Sequence, residues 1–196
     1  IGWTWDDAVA GQLGINGQDH RLFLNRFYTG QFEGSFARGV PFQMNPSNGD
    51  CRVCGTLASL TGLESAVEAQ DADAIELALG RIRLLNAINL SMTGLPLLYQ
   101  GDEIGVLNDH AYLDDPHKRE DARWVNRKPL NEKDFALAAS SDTVQGRVAQ
   151  QLQQLIKIRQ SHAVFGSSQT EILETYNPHA FSFARIGDRE RLLVIA

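Results

Sequence analysis

The sequence predicts an α/β fold: the C-terminal part of a (β/α)8 TIM barrel, followed by the start of an antiparallel β domain. Three observations carry this. A helix-length segment with a wide apolar arc, 73–90, leads into a short apolar run, 95–99, flanked by Gly94 and Gly101. A long polar loop and a second amphipathic segment follow, which is the helix, strand, loop, helix order of barrel units. After Gly166 the apolar period drops to two and turn residues separate three runs.

The first helix is expected after Gly17. Asp19 is a capping residue type, Phe23 and Phe27 stand four apart, as do Leu24 and Tyr28, and Gly30 closes the segment. Gln31 to Cys51 is rich in Gly, Pro, Asn and Ser and reads as an ordered loop, with Phe32, Phe36 and Phe42 to pack it down. A short helix is expected over Cys54–Leu63. In the 73–90 helix, Ile75, Leu79, Ile82 and Leu85 form one stripe and Leu77, Leu84 and Ile88 another, so most of its circumference should be covered. Gly94 and Pro96 stop it. Leu95–Tyr99 then reads as a buried strand. The loop 101–131 is long enough to expect a function. A helix follows near Thr143, capped by Asp142, with Val144, Val148, Leu152 and Leu155 inward. Three strands end the chain at 172–176, 181–186 and 191–195, separated by Asn177-Pro178 and Gly187-Asp188.

Composition excludes some classes. The chain has 196 residues and a net charge of −6, and its Lys and Arg are scattered, so it lacks the basic stripe of a nucleic-acid binder. No apolar run approaches the ~20 residues that span a bilayer. Two cysteines make no disulfide framework. Both ends read as cuts in a longer protein: Ile1 is no initiator, and Leu192–Ala196 stops inside an apolar run.

The chemistry-bearing residues lie in loops. Asp102 and Glu103 end the apolar run, where a barrel carries its active-site face; their plainer reading is acceptance of backbone N–H bonds. Asp109, His110, Asp114, Asp115, His117, Glu120 and Asp121 are metal-ligand types without metal-ligand spacing, so they read as a solvated loop. Cys51 and Cys54 form a C-x-x-C with neither a second pair nor a redox context, hence two reduced thiols. Asp121-Ala122-Arg123-Trp124 puts an acid, a guanidinium and an aromatic together, a common way to hold a sugar ring. No G-x-S-x-G and no phosphate-cradling loop is present.

These segments bear a family likeness. Gly94–Gly105 resembles the eighth-strand signature of the α-amylase superfamily. Ile1-Gly2-Trp3-Thr4, Gly17–Phe27, Gly34–Gln43, Asn45–Arg52 and Asp121–Trp124 resemble amylosucrases and the related sucrose hydrolases. The resemblance covers nearly the whole chain, and its Gly34–Arg52 block is long and unusual. Cys54 departs from it, standing where relatives have a small polar residue, and Glu64–Ile75 is longer than usual.

The resemblance implies a division into residues 1–72, an insertion after barrel strand seven; 73–166, helix seven, strand eight and helix eight; and 167–196, the start of the β domain. It places the three catalytic carboxylates before Ile1, so no catalytic residue falls in this chain. It implies substrate-binding roles for Arg123, holding the glucosyl ring through an ion pair with an upstream Asp; for Arg52, at the fructosyl or acceptor subsite; and for Arg21, Phe23 and Gln43, along the acceptor path. The implied partners are sucrose and an α-glucan acceptor, with no nucleic acid and no membrane. The implied chemistry is retaining glycosidic cleavage through a covalent glucosyl-enzyme, with no cofactor and no catalytic metal. A sucrose hydrolase of the same superfamily, and a non-catalytic carbohydrate-binding protein, are the alternative readings.

Overall fold

The computed structural model describes residues 6–166 and 169–196. The Ile1–Thr4 part of the resemblance lies outside the described residues. The chain forms mixed helix and sheet with small antiparallel sheets, divided into two compact units. One comprises the chain up to Ala78 with Gly105–Glu132; the other comprises Leu79–Ile104 with Lys133–Ala196.

In the first unit, helix α1 (Asp7–Gln12) starts at Asp6, whose carboxylate accepts from the Ala8 and Val9 amides. Helix α2 (Gly17–Tyr28) is capped by Asn16, whose side chain accepts from the Asp19 N–H at 3.1 Å. The cap is therefore Asn16 and not Asp19. Asp19 sits in the first turn instead, where its charge suits the positive end of the helix dipole. Gly30 does close the helix: it takes φ +74°, its N–H donates to the Phe27 carbonyl, and the Gln31 N–H reaches back to the Arg26 carbonyl at 2.8 Å.

The loop expected over 31–51 contains a strand. β1 (Val40–Phe42) pairs antiparallel with β2 (Arg52–Cys54), in the register Val40 to Cys54 and Phe42 to Arg52. Pro41 is tolerated because a two-stranded ribbon leaves free edges. Gly39 precedes β1 because nothing larger fits: a Cβ there would stand 2.3 Å from Val53 Cγ1 and 2.4 Å from the Tyr28 carbonyl oxygen. Helices α3 (Leu57–Leu60) and α4 (Leu63–Glu68) replace the single short helix expected. Ala37, Val53, Ala58, Leu63 and Val125 form the buried centre of this unit. Asn108 ties the long loop to it: its Oδ1 accepts from the Thr56 N–H at 2.9 Å, its Nδ2 donates to the Arg38 carbonyl at 2.5 Å, and its own N–H donates to Ser59 Oγ at 2.9 Å.

Helix α5 (Ala72–Ser91) matches the expected long helix within a residue at each end, and the division between the units falls inside it. Its circumference is less covered than the sequence predicts. Leu79, Ile82 and Leu90 are buried, while Leu77, Leu84 and Leu85 are exposed. The strand expected at 95–99 does not form. Leu95 is 99% and Leu97 82% exposed, and the segment pairs with no strand among the described residues. An apolar run states a wish for burial, but a strand also needs a partner for its N–H and C=O groups, and the two observed sheets are formed by other segments.

In the second unit, α6 (Glu132–Ala139) precedes α7 (Val144–Ser161). α7 is capped by Thr143 rather than Asp142; the Thr143 hydroxyl oxygen accepts from the Gly146 N–H at 3.0 Å. Val148 and Leu152 are buried, as the stripe predicts. Strands β3 (Gln169–Leu173), β4 (Ser182–Ile186) and β5 (Arg191–Ile195) form the expected antiparallel meander in chain order, with β3 three residues earlier than its predicted span. Arg185 on β4 is fully buried and donates to Thr170 Oγ1 at 2.8 Å, to Thr93 Oγ1 and to the Val164 and Phe165 carbonyls. Among the described residues no helix is long and apolar enough to cross a membrane.

Candidate functional site

The candidate site lies in the first unit, on the β1–β2 ribbon and the 3-10 turn Ala122–Asn126 that packs against both strands. Asp121 caps that turn by accepting from the Arg123 N–H at 3.0 Å. The same carboxylate takes the Arg123 guanidinium in a two-point fork, Nε to Oδ1 at 2.8 Å and Nη2 to Oδ2 at 2.7 Å. The turn thus fixes the plane of the guanidinium and lays it over the Phe42 ring, 5.2 Å from the centroid. Phe42 stands opposite Arg52 in the ribbon, so one aromatic residue joins two of the predicted binding arginines. Gln43 follows directly, with φ +53°, in the left-handed region that glutamine rarely occupies.

Arg21 and Phe23 stand on α2. Arg21 is committed to local partners: its guanidinium reaches Asp7 and Asp50 at 3.2 Å each and Gln18 at 3.0 Å, with only 14% of the side chain exposed. Asp50 also accepts from Asn25 Nδ2 at 3.0 Å, so α2 is fastened just ahead of β2. Phe23 is half-exposed in a cluster with His20, Phe27 and Phe32. The structure therefore lays Arg123 over Phe42, sets Arg52 opposite Phe42 in strand register with Gln43 next along the chain, and places Arg21 in an ion-pair network of its own. Sequence reasoning treated Phe42 only as packing; its place as the shared platform follows from strand register, which no local motif encodes.

The electrostatics assign Asp121 a fixed role. The Arg123 hydrogen bonds pull its carboxyl down to about 2, and Arg123 is pushed up in return. A carboxylate held that low stays ionised at neutral pH and cannot serve as a general acid. Burial raises both thiols, Cys51 and Cys54, which keeps them protonated and poorly nucleophilic; both are free. The acidic loop is occupied with turn geometry: Asp109 accepts from the Ala111 N–H, Asp115 accepts from the His117 N–H and pairs with Lys118, and His110 pairs with buried Glu64 at 2.9 Å. No group of three or more His, Cys, Asp or Glu among the described residues is placed to hold a metal ion. Glu103 accepts from the Gly101 N–H at 2.6 Å, the loop-fixing role expected of it. The ribbon and turn thus carry a forked guanidinium, an aromatic ring and a second arginine in strand register with that ring.

No protein-family model matches the chain. Among solved structures, the chain is similar to a debranching enzyme of Nostoc punctiforme, with TM-score 0.42 and 19% identity over 72% of this chain and 22% of that one. It is also similar to the trehalose-6-phosphate hydrolase of Bacillus licheniformis, with TM-score 0.36 and 15% identity over 58% of this chain and 29% of that one. The chain thus spans less than a third of the length of either protein.

Proposed function

We propose that this chain is the C-terminal portion of a retaining glucosyltransferase of the α-amylase superfamily, one that cleaves sucrose, releases fructose and transfers glucose to an α-1,4-glucan. The observation that carries the reading is the Arg123–Asp121 fork over Phe42, with Arg52 across the ribbon. These positions lie in the segments whose sequence resembles amylosucrases. A planar guanidinium fixed beside an aromatic residue suits a sugar ring: with Nε and Nη2 held by Asp121, the N–H groups left on Nη1 can donate to hydroxyls, and the face of Phe42 that Arg123 leaves uncovered can pack on C–H groups. In this reading the upstream carboxylates make and break the glycosidic bond, and the ribbon and turn hold the sugar they act on.

The test is incubation of the complete enzyme with sucrose alone. Fructose in excess of free glucose, with an α-1,4-glucan accumulating, is the expected result. Equal glucose and fructose without polymer would transfer the assignment to a sucrose hydrolase. No sucrose cleavage at all would overturn both readings.

A further inference from the structure

We propose that Asn108 sets the position of Arg123 over Phe42 and so acts as a positioning residue for the reaction. Its effect on the reaction rests on the sugar-holding role proposed for Arg123; its effect on the placement rests on geometry alone.

Phe42 is carried by the β1–β2 ribbon and Arg123 by the turn Ala122–Asn126. The fork to Asp121 is made within that turn, so it orients the guanidinium without anchoring the turn to the ribbon. Asn108 stands at the end of the ribbon away from its connecting loop. The register pairs Val40 with Cys54 and, carried on by two residues, sets Arg38 opposite Thr56. The strands stop short of that point, and the Asn108 side-chain amide bridges the two backbones. Its Oδ1 accepts from the Thr56 N–H at 2.9 Å and its Nδ2 donates to the Arg38 carbonyl at 2.5 Å. A backbone N–H only donates and a carbonyl only accepts, so these partners fix which way round the amide sits. The Asn108 N–H donates to Oγ of fully buried Ser59 at 2.9 Å.

The next residue completes the link. Asp109 donates its N–H to the Val125 carbonyl at 2.8 Å. Val125 lies two residues after Arg123 in the same turn and is fully buried. One dipeptide therefore joins the end of the ribbon to the turn. Burial of Val125 holds the turn down but is non-directional. The bonds of Asn108 and Asp109 are directional, and they set where the guanidinium falls, 5.2 Å from the Phe42 centroid.

Two substitutions separate the parts of this link. Asn108→Asp keeps the shape and the acceptance from Thr56, but it puts an acceptor against the Arg38 carbonyl, where the amide donated. Two acceptors at that distance repel, and the loop must move. Asn108→Ala removes both side-chain bonds. A shift of ~1 Å in a group that holds substrate can cost up to about a hundredfold in rate.

The test uses the complete enzyme and two readouts. First, 4-fluorophenylalanine is placed at position 42, and its 19F resonance reports what lies over the ring. Arg123→Ala gives the resonance of the uncovered ring. Asn108→Asp and Asn108→Ala should each move the resonance most of the way to that value, and adding either to Arg123→Ala should move it little further. Second, sucrose kcat/KM should fall about tenfold in Asn108→Ala, but less than about twofold when the same change is made in Arg123→Ala. A structural role without positioning would lower kcat/KM by the same factor in both backgrounds. A wild-type 19F resonance in both Asn108 variants, or equal factors in the two backgrounds, would overturn the proposal. Failure of both variants to fold would overturn it too, because Asn108 would then hold the unit together and not aim Arg123. If the unsubstituted enzyme cleaves no sucrose, the functional reading falls, and the 19F result still decides the placement.

Discussion

Arg123 and Asp121 show how much a single residue pair can settle. The fork between them drives the Asp121 carboxyl to about 2, below the ordinary range near 3.8. A carboxylate depressed in the folded chain contributes stability that is present above its unfolded pKa and lost as pH falls through the folded one. The pair's contribution should therefore hold above about pH 4 and fade toward pH 2. A carbonyl-carbon NMR titration should place the Asp121 midpoint near 2, and Arg123→Ala should return it to the ordinary carboxylate range. A wild-type midpoint near 4 would show that the fork does not persist in solution. Gly39 makes the steric case at the same scale. With Val53 and the Tyr28 carbonyl within 2.4 Å of any Cβ, Gly39→Ala should cost about 1–3 kcal/mol in denaturant unfolding.

At the scale of elements, long amphipathic segments were legible in the sequence and short or cap-dependent features were not. α2, α5, α7 and the β3–β5 meander all announce themselves by period, because each buries a recurring apolar face. α6 does not, and the structure gives the reason: none of its residues is buried, so no stripe was selected. The β1–β2 ribbon is three residues per strand and carries Pro41 and Arg52, so tertiary packing makes it, not propensity. The two cap assignments missed by three positions and by one, because good capping residues stand close together, Asn16 three before Asp19 and Thr143 next to Asp142. Which one wins depends on where the first helical turn docks. Thr143 also donates to the Leu137 and Ser140 carbonyls, at 2.5 and 2.8 Å, so it joins α6 to α7 as well as capping. Thr143→Ala should lose about 1–2 kcal/mol by chemical denaturation, and Thr143→Ser should recover most of it. Equal stability of all three would show that Thr143 neither caps α7 nor braces the turn before it.

At the scale of the molecule, the sequence resemblance and the geometry meet at one place. The segments that resemble amylosucrases, Gly34–Gln43, Asn45–Arg52 and Asp121–Trp124, supply β1, the first residue of β2 and most of the turn that carries Arg123. They are far apart in the chain yet pack in one unit, and they converge on Phe42. That arrangement was invisible in the sequence, because Arg52 and Arg123 are related to Phe42 only through strand register and a turn cap. It also sets the division of labour in the proposal. Under that proposal this surface would hold the sugar and other groups would break the bond, so the 196-residue chain alone should release no fructose from sucrose. The measurement that tests the account most directly is the sucrose kinetics of Arg123→Ala in the complete enzyme. Loss of the fork leaves Asp121 unpaired and the glucosyl ring poorly held, so kcat/KM should fall about a hundredfold or more. Wild-type kinetics in that variant would contradict the claim that this cluster holds the reacting sugar.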